Sequence, residues 1–350
     1  MTTKRQNFLI IVADDLGFSD ISPYGGEINT HVLEKLAKDG IRMTNLHTAS
    51  ACSPTRSMLF SGTDSQIAGL GQMFEHMRRF GDYFKDRPGY EGYLNWRVAL
   101  SEILQDTGYH TIMSGKRQAV KRLVELGLVD KGIEHAPPTG VVDKEWKDMT
   151  DLERKESARK VEVFAAMVEL IDENIGRVIE HLTSTGELDN TFILFMSDNG
   201  AEGAALEAIP YDDNSLDNIG DKASFAWYGA RWASAATAPS RRSKPSQKKP
   251  SPITSVMDVL PPILELARVQ HPGTSFRGRD VVVPRGKSWV GRLSSPDHAA
   301  PDSTVHVHGW ELFDHWERDY TETGMTQTPE FPRHQGSAPV WSKHQTRSSE

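Results

Sequence analysis

Residues 48–62, TASACSPTRSMLFSG, hold the one cysteine of the chain, with Pro54 two positions after it and Arg56 four after it. A lone cysteine is most often a small buried hydrophobe, and composition alone favours that reading. Its neighbours point to chemistry instead. Pro54 fixes its own φ and pre-organises a first helical turn, and TRSMLF continues as a helix. Cys52 then sits near a helix N-terminus, whose unpaired amides attract negative charge. Arg56 falls one turn along on the same face. The natural occupant of that corner is an anion held between the helix dipole and a guanidinium fork.

The elements that must position such a site can be read along the chain. The run NFLIIVA, residues 7–13, is continuous, apolar and of strand length, and it stops at Asp14 and Asp15, as a strand buried on both faces does. HVLEKLAKDG is spaced for a helix ending at a glycine, and IRMTNLHT alternates like a strand. RVALSEILQDTG predicts a helix ended by Gly108, followed by a strand YHTIMSG and then Lys116. Val161, Phe164, Val168, Ile171, Ile175, Val178 and Leu182 make one apolar stripe of a long helix closed by Gly186. TFILFM is another short buried strand and delivers Asp198 and Asn199. Strand ends therefore bring Asp14, Asp15, Lys116, Asp198 and Asn199 to the carboxyl edge of an open α/β sheet, where ligands bind in such folds. Helical spacing resumes over residues 256–266.

Bulk properties exclude several classes. The net charge of −8 argues against a nucleic-acid partner, which shows itself as clustered positive charge. No window nears the roughly 18 uninterrupted apolar residues of a membrane span, so no membrane partner is expected. One cysteine forms no internal disulfide, and no apolar segment of signal-peptide length precedes the first strand-like run, which together predict a cytoplasmic protein. The run APSRRSKPSQKKPSP reads as a solvated linker. The pair His306 and His308 shares one strand face and reads as surface rather than as a metal site.

CSPTR followed by SMLFSG resembles the sulfatase signature CxPxR with its trailing apolar residues and glycine. NFLIIVADDLGFSD and FMSDNGAEGA are similar to the two metal-binding segments of that family. The longer stretches YEGYLNWRVALSEILQDTGYHTIMSGK and FRGRDVVVPRGKSWVGRLS resemble the arylsulfatases of the alkaline-phosphatase superfamily, over nearly everything from residue 7 to about residue 313. The resemblance implies an α/β fold with a mixed, mostly parallel sheet flanked by helices and a smaller, truncated C-terminal subdomain. It implies that Cys52 is oxidised to formylglycine by a dedicated generating enzyme. One hydroxyl of the hydrated aldehyde then attacks sulfur and expels the alcohol, and the second eliminates sulfate and restores the aldehyde. It also implies a metal held by Asp14, Asp15, Asp198, Asn199 and the converted Cys52. Three carboxylates and an amide are oxygen ligands that suit calcium or magnesium better than zinc, and the family implies calcium. Arg56 and Lys116 would steady the nucleophile and the sulfate, and Lys244 would contact substrate.

The chain also departs from that pattern. After MSGK the family continues Trp-His-Leu-Gly, whereas here the text is RQAVKRLVELG, with Gln118 in the register of a histidine. No histidine corresponds to the family's proton donor to the leaving alcohol. A second break follows Ser240 and a third follows GWELF. The expected organisation is a catalytic domain over 1–237 with an internal deletion near 116–120, a linker or splice junction over 238–252, the remnant of a C-terminal subdomain over 253–319, and a disordered tail over 320–350. The expected activity is hydrolysis of a small sulfate ester, an aryl sulfate. The alternatives are a phosphomonoester or phosphonate hydrolase of the same superfamily, or an inactive, truncated sulfatase that keeps only binding.

Overall fold

A computed structural model describes residues 4–44, 46–73, 77, 84, 87–92, 94, 99–115, 146–201, 213–222, 224, 226, 232–233, 236 and 254–294. In chain order its principal elements are β1 (Asn7–Ala13), α1 (His31–Asp39), β2 (Leu46–His47), α2 (Cys52–Ser61), α3 (Leu100–Asp106), α4 (Asp151–Ser184), β3 (Thr191–Ser197), β4 (Thr254–Ser255), α5 (Leu260–Ala267), β5 (Ser275–Phe276) and β6 (Arg279–Asp280). β1 and β3 pair in parallel over their whole length, Asn7 opposite Thr191 and Ala13 opposite Ser197. β2 and β4 make a second, shorter parallel pair, and β5 and β6 pair antiparallel. The class is α/β, as the alternation of strand and helix signals predicts.

Successive side chains on a strand point to opposite faces, so the unbroken apolar runs of β1 and β3 feed two layers. Ile10, Val12, Leu194 and Met196 face a core shared with α2, α3 and α5. Ile11, Ala13 and Phe195 face a second core built with α1 and α4. Helices on both sides explain why neither strand alternates with polar residues. Residues 254–281 belong to the first of these cores, through Val256, Leu260, Ile263, Phe276 and Val281.

The long helix α4 starts where its sequence caps it. Thr150 accepts from the Glu153 amide at 3.2 Å, and Glu153 returns a bond to the Thr150 amide at 2.7 Å, a reciprocal cap. Phe164, Val168 and Ile175 are buried along the expected stripe, but Val178 is exposed. At about 1.5 Å per residue a 34-residue helix is about twice as long as a seven-residue strand. Part of the helix therefore runs past the sheet. The same buried face carries Asp172, whose carboxylate accepts from the amides of Val32 (3.0 Å) and Leu33 (2.8 Å) at the start of α1. The N-cap residue of α1, Thr30, has its hydroxyl engaged by the Ser22 amide, so the cap comes from the opposite helix.

α2 is anchored at its far end. Gly62 adopts a left-handed conformation that ends the helix, and its carbonyl accepts from the amides of Arg285 (2.8 Å) and Gly286 (3.0 Å). Buried Asp258 holds the neighbouring strap by accepting from the Lys287 amide, 2.7 Å, and from the Ser255 amide, 2.7 Å. A Cβ at Gly286 would lie 2.0 Å from the Met257 carbonyl oxygen, so only glycine fits.

Two expected strands are corrected. IRMTNLHT contributes only Leu46–His47 to a ladder. YHTIMSG forms no ladder among the described residues: the Tyr109 ring lies tilted against Phe8 at 5.9 Å and under the Arg5 guanidinium at 4.1 Å, while Ile112 is 81% exposed. A strand is stabilised by pairing rather than by its own propensity, and among the described residues this segment meets the sheet through the Tyr109 ring rather than through a ladder. The 238–252 linker, the 320–350 tail, the break near 116–120 and the His306–His308 pair lie outside the described residues.

Asp172→Ala leaves two buried amides of α1 without an acceptor and should lower stability by about 2 kcal/mol, read as a fall in the urea midpoint with an unchanged slope. Asp172→Asn keeps an acceptor oxygen and should cost less. Equal stability of the alanine variant and the unsubstituted chain would show that the cap is dispensable.

Candidate active site

The in-register pairing of β1 with β3 sets the site. With Ala13 opposite Ser197, the chains leave the sheet side by side, and the Asp198 amide extends the ladder to the Ala13 carbonyl at 3.1 Å. Asp198 is 0% exposed. Its Oδ2 accepts from Arg56 Nε at 3.0 Å and Nη2 at 2.7 Å, and the same Nη2 reaches Asp14 Oδ1 at 3.3 Å. Its Oδ1 accepts from the Asp15 amide at 3.3 Å. Asp15 makes that contact from a left-handed backbone, φ 57°, a conformation that aspartate tolerates better than most residues. Asn199 Nδ2 donates to Asp15 Oδ1 at 2.6 Å, and Asn199 Oδ1 is buried with no hydrogen-bond partner among the described residues.

Cys52 arrives from the third side. Ala51 is the extended residue before α2, and the Thr55 amide closes the first turn onto the Ala51 carbonyl at 3.1 Å. The Thr55 hydroxyl accepts from the Ala49 amide at 2.9 Å and fixes the approach to the helix. Ser57 and Ser61 are buried because their hydroxyls bond carbonyls of their own helix, those of Pro54 and Ser57. Cys52 stands at the first helical position, 8% exposed. One ligand atom each from Asp14, Cys52 and Asp198 lie within 4.8 Å of one another.

The structure brings together Asp14, Asp15, Cys52, Arg56, Asp198 and Asn199, all six expected at this edge. Lys116 and Lys244 lie outside the described residues. Arg56, expected to steady the nucleophile and the sulfate, bridges the two carboxylates beside Cys52. The Asp15 amide, which orients Asp198, was not foreseen; the only sequence signal for it is an aspartate in the turn after a strand.

Electrostatically the site calls for more positive charge than Arg56 supplies. Burial first, and then the neighbouring Asp14 carboxylate, push the Asp198 carboxyl up from 3.8 to about 6 against the pull of Arg56. The donors fit a hard divalent cation: carboxylates from Asp14, Asp15 and Asp198, and the unpartnered amide oxygen of Asn199. A carboxyl raised in the folded state contributes stability that is full below its ordinary value and lost as pH rises through about 6. A bound cation favours the ionised form and must displace a proton below that point. Calcium affinity, read by thermal shift or calorimetry, should therefore be about tenfold weaker at pH 5 than at pH 7.5. Asp198→Asn should remove the calcium response at both pH values. A calcium response of equal size in that variant would mean that Asp198 is not a ligand.

Comparison with known proteins gives the same reading. A sulfatase family model matches residues 6–121 and 134–269. An uncharacterized sulfatase of Schizosaccharomyces pombe is 41% identical over 467 aligned residues, covering 89% of this chain and 83% of that protein. That alignment is longer than the 350 residues of this chain, so the relative carries internal residues that this chain lacks. An arylsulfatase of Klebsiella aerogenes is 28% identical over 363 residues, covering 67% of this chain and 76% of that protein. Among solved structures, the PsFucS1 sulfatase from Pseudoalteromonas sp. superposes with a TM-score of 0.48 at 16% identity, over 87% of this chain and 75% of that one. With a family match across most of its length and a cysteine, an arginine and four metal-type ligands gathered at one sheet edge, the chain belongs to the sulfatase family.

Proposed function

We propose that this protein hydrolyses sulfate esters, with aryl sulfates as its substrate class, after conversion of Cys52 to formylglycine by a generating enzyme, and with calcium held by Asp14, Asp15, Asp198 and Asn199. One observation carries the reading: the cysteine of CSPTR lies within 4.8 Å of carboxylate oxygens delivered by two different strand ends. The 28% identity to an arylsulfatase supports the substrate class.

Each residue has a physical task in that proposal. Arg56 lies one turn from residue 52 and balances the charge of Asp198 and Asp14 beside the nucleophile. Among the described residues no side chain caps the first turn of α2, and amides at such a terminus favour an anionic sulfate. Asp15 and Asn199 brace each other, and the Asp15 amide holds Asp198 in place. The hydrated aldehyde supplies a nucleophilic oxygen with a neighbouring hydroxyl able to expel sulfate, and calcium supplies positive charge against the sulfate oxygens. Lys116 is proposed for sulfate contact, Lys244 for substrate contact, and the cytoplasm as location. Among the described residues no helix is long and apolar enough to cross a membrane. With Gln118 in the register of the family's histidine and no counterpart of its proton donor, turnover is proposed to be slow, by about two to four decades relative to an arylsulfatase with its general acid.

Mass spectrometry of the tryptic peptide MTNLHTASACSPTR, residues 43–56, from protein made in its own host should show an aldehyde at residue 52. An unmodified thiol there would remove the nucleophile from the proposal. Cleavage of nitrophenyl sulfate should exceed that of nitrophenyl phosphate, and Cys52→Ser should reduce sulfate turnover to background. A phosphate preference would instead assign the chain a phosphoryl substrate.

A further inference from the structure

We infer that Asp20, a buried carboxylate outside the corner itself, is a positioning residue for the Asp14–Asp15 pair: through the Gly17 amide it holds Asp15 in the left-handed turn at the end of β1. This deepens the calcium reading above, on which only the affinity half of its test rests. Asp20 ends the short 3₁₀ turn Phe18–Asp20 that follows the pair. Its Oδ2 accepts from the Gly17 amide at 2.8 Å in a buried bond, and its own amide donates to the Gly17 carbonyl at 3.2 Å. One residue thus grips both polar groups of Gly17. No side chain fits there, because a Cβ on Gly17 would lie 2.4 Å from Asp20 Oδ2 and 2.4 Å from the Ala236 Cβ.

A left-handed backbone strains any residue with a Cβ and persists only where the surroundings over-determine it. Upstream of Asp15 that condition is met by the ladder, which ties the Ala13 carbonyl to the Asp198 amide. Downstream, Leu16 is buried in the core with Ile21 and Leu33. Packing of Leu16 fixes where the chain runs, but the bond from Asp20 fixes how the peptide plane at Gly17 is turned, two residues from Asp15. Asp20 has a firm base of its own. Phe18 stacks on Tyr24 at 4.2 Å, and a Cβ on Gly26 would lie 2.6 Å from the Ser19 carbonyl, so the turn is packed tightly against the chain that follows. A carboxylate is a costly group with which to cap three residues. Burial pushes the Asp20 carboxyl up from its ordinary value, the Gly17 amide draws it down, and no cation offsets the cost among the described residues.

The test compares Asp20→Asn, Asp20→Glu and Asp20→Ala in the full chain. Asp20→Asn keeps an acceptor oxygen at the same reach and removes the charge; Asp20→Glu keeps the charge, and its extra methylene moves the oxygen off the Gly17 amide. In the calcium-free chain, the Asp15 amide should exchange hydrogen at least about tenfold faster in Asp20→Glu and Asp20→Ala, while the β1 amides that bond β3 keep their protection. Calorimetric Ca2+ affinity should fall about tenfold or more in the same two variants and stay within about twofold in Asp20→Asn. An Asp15 amide exchanging no faster in Asp20→Glu than in the unsubstituted chain overturns the inference. So does a loss in Asp20→Asn that Asp20→Glu does not share, which would make Asp20 a source of charge rather than of geometry. Equal loss of protection at Asp15 and along β1 also overturns it, because a cap that serves stability alone loosens the whole chain. If Asp20→Ala fails to fold, Asp20→Asn and Asp20→Glu decide by themselves. An unsubstituted chain that binds no Ca2+ sinks the calcium reading, and exchange at Asp15 then decides this inference.

Discussion

A carboxylate with none of its surface in water, Asp198, is the constraint around which the sheet edge is arranged. A buried charge is tolerated only when paired and hydrogen-bonded, and most neighbours of Asp198 answer to that. Arg56 gives two donors to one oxygen, the Asp15 amide gives one to the other, and the ladder fixes the backbone at the Ala13 carbonyl. Asp14 works in the opposite sense, adding negative charge beside it. The balance is a corner short of positive charge, which is the condition under which a cation binds well and a proton binds otherwise.

The fold supplies this corner by register. β1 and β3 are 184 positions apart in the chain at the Asn7–Thr191 pair, yet their parallel ladder leaves no freedom in how their ends meet. Apolar side chains on both faces of the pair fix the register, because a slip of one residue would exchange the layer facing α2 with the layer facing α4. The helices on the two sides have different tasks. α2 brings chemistry to the edge, while α4 contributes a buried carboxylate, Asp172, that ends the amide row of α1 and so ties the opposite layer together.

Much of this was legible in the residues. Strand ends could be read from apolar runs stopping at Asp14 and at Asp198, and the helix start at Cys52 from Pro54, because these are local signals. The long helix declared itself by periodicity and by its Thr150–Glu153 cap. What was not legible is what depends on partners distant in sequence. Tyr109 to Gly115 has strand composition, but composition cannot say that no ladder partner stands beside it among the described residues. Val178 fits the stripe of α4 but is exposed, while Ile179 beside it packs on the core. Sequence shows the spacing of Arg56 from Cys52 but not the two carboxylates that its guanidinium bridges. The left-handed turn at Asp15 likewise follows from the contact it makes, which no local pattern announces.

The strap at Gly62 makes α2 a rigid lever. Its ten residues span about 15 Å, with the reactive side chain at one end and the Arg285 and Gly286 amides clamped to the other. A helix barely compresses along its axis, so a displacement imposed at the clamp is passed on to residue 52 almost undiminished. Any side chain introduced at position 286 must push against the Met257 carbonyl, and the thrust is carried the length of the rod. Sensitivity to change is therefore concentrated at two glycines remote from the carboxylates, where nothing about the local chemistry would suggest it.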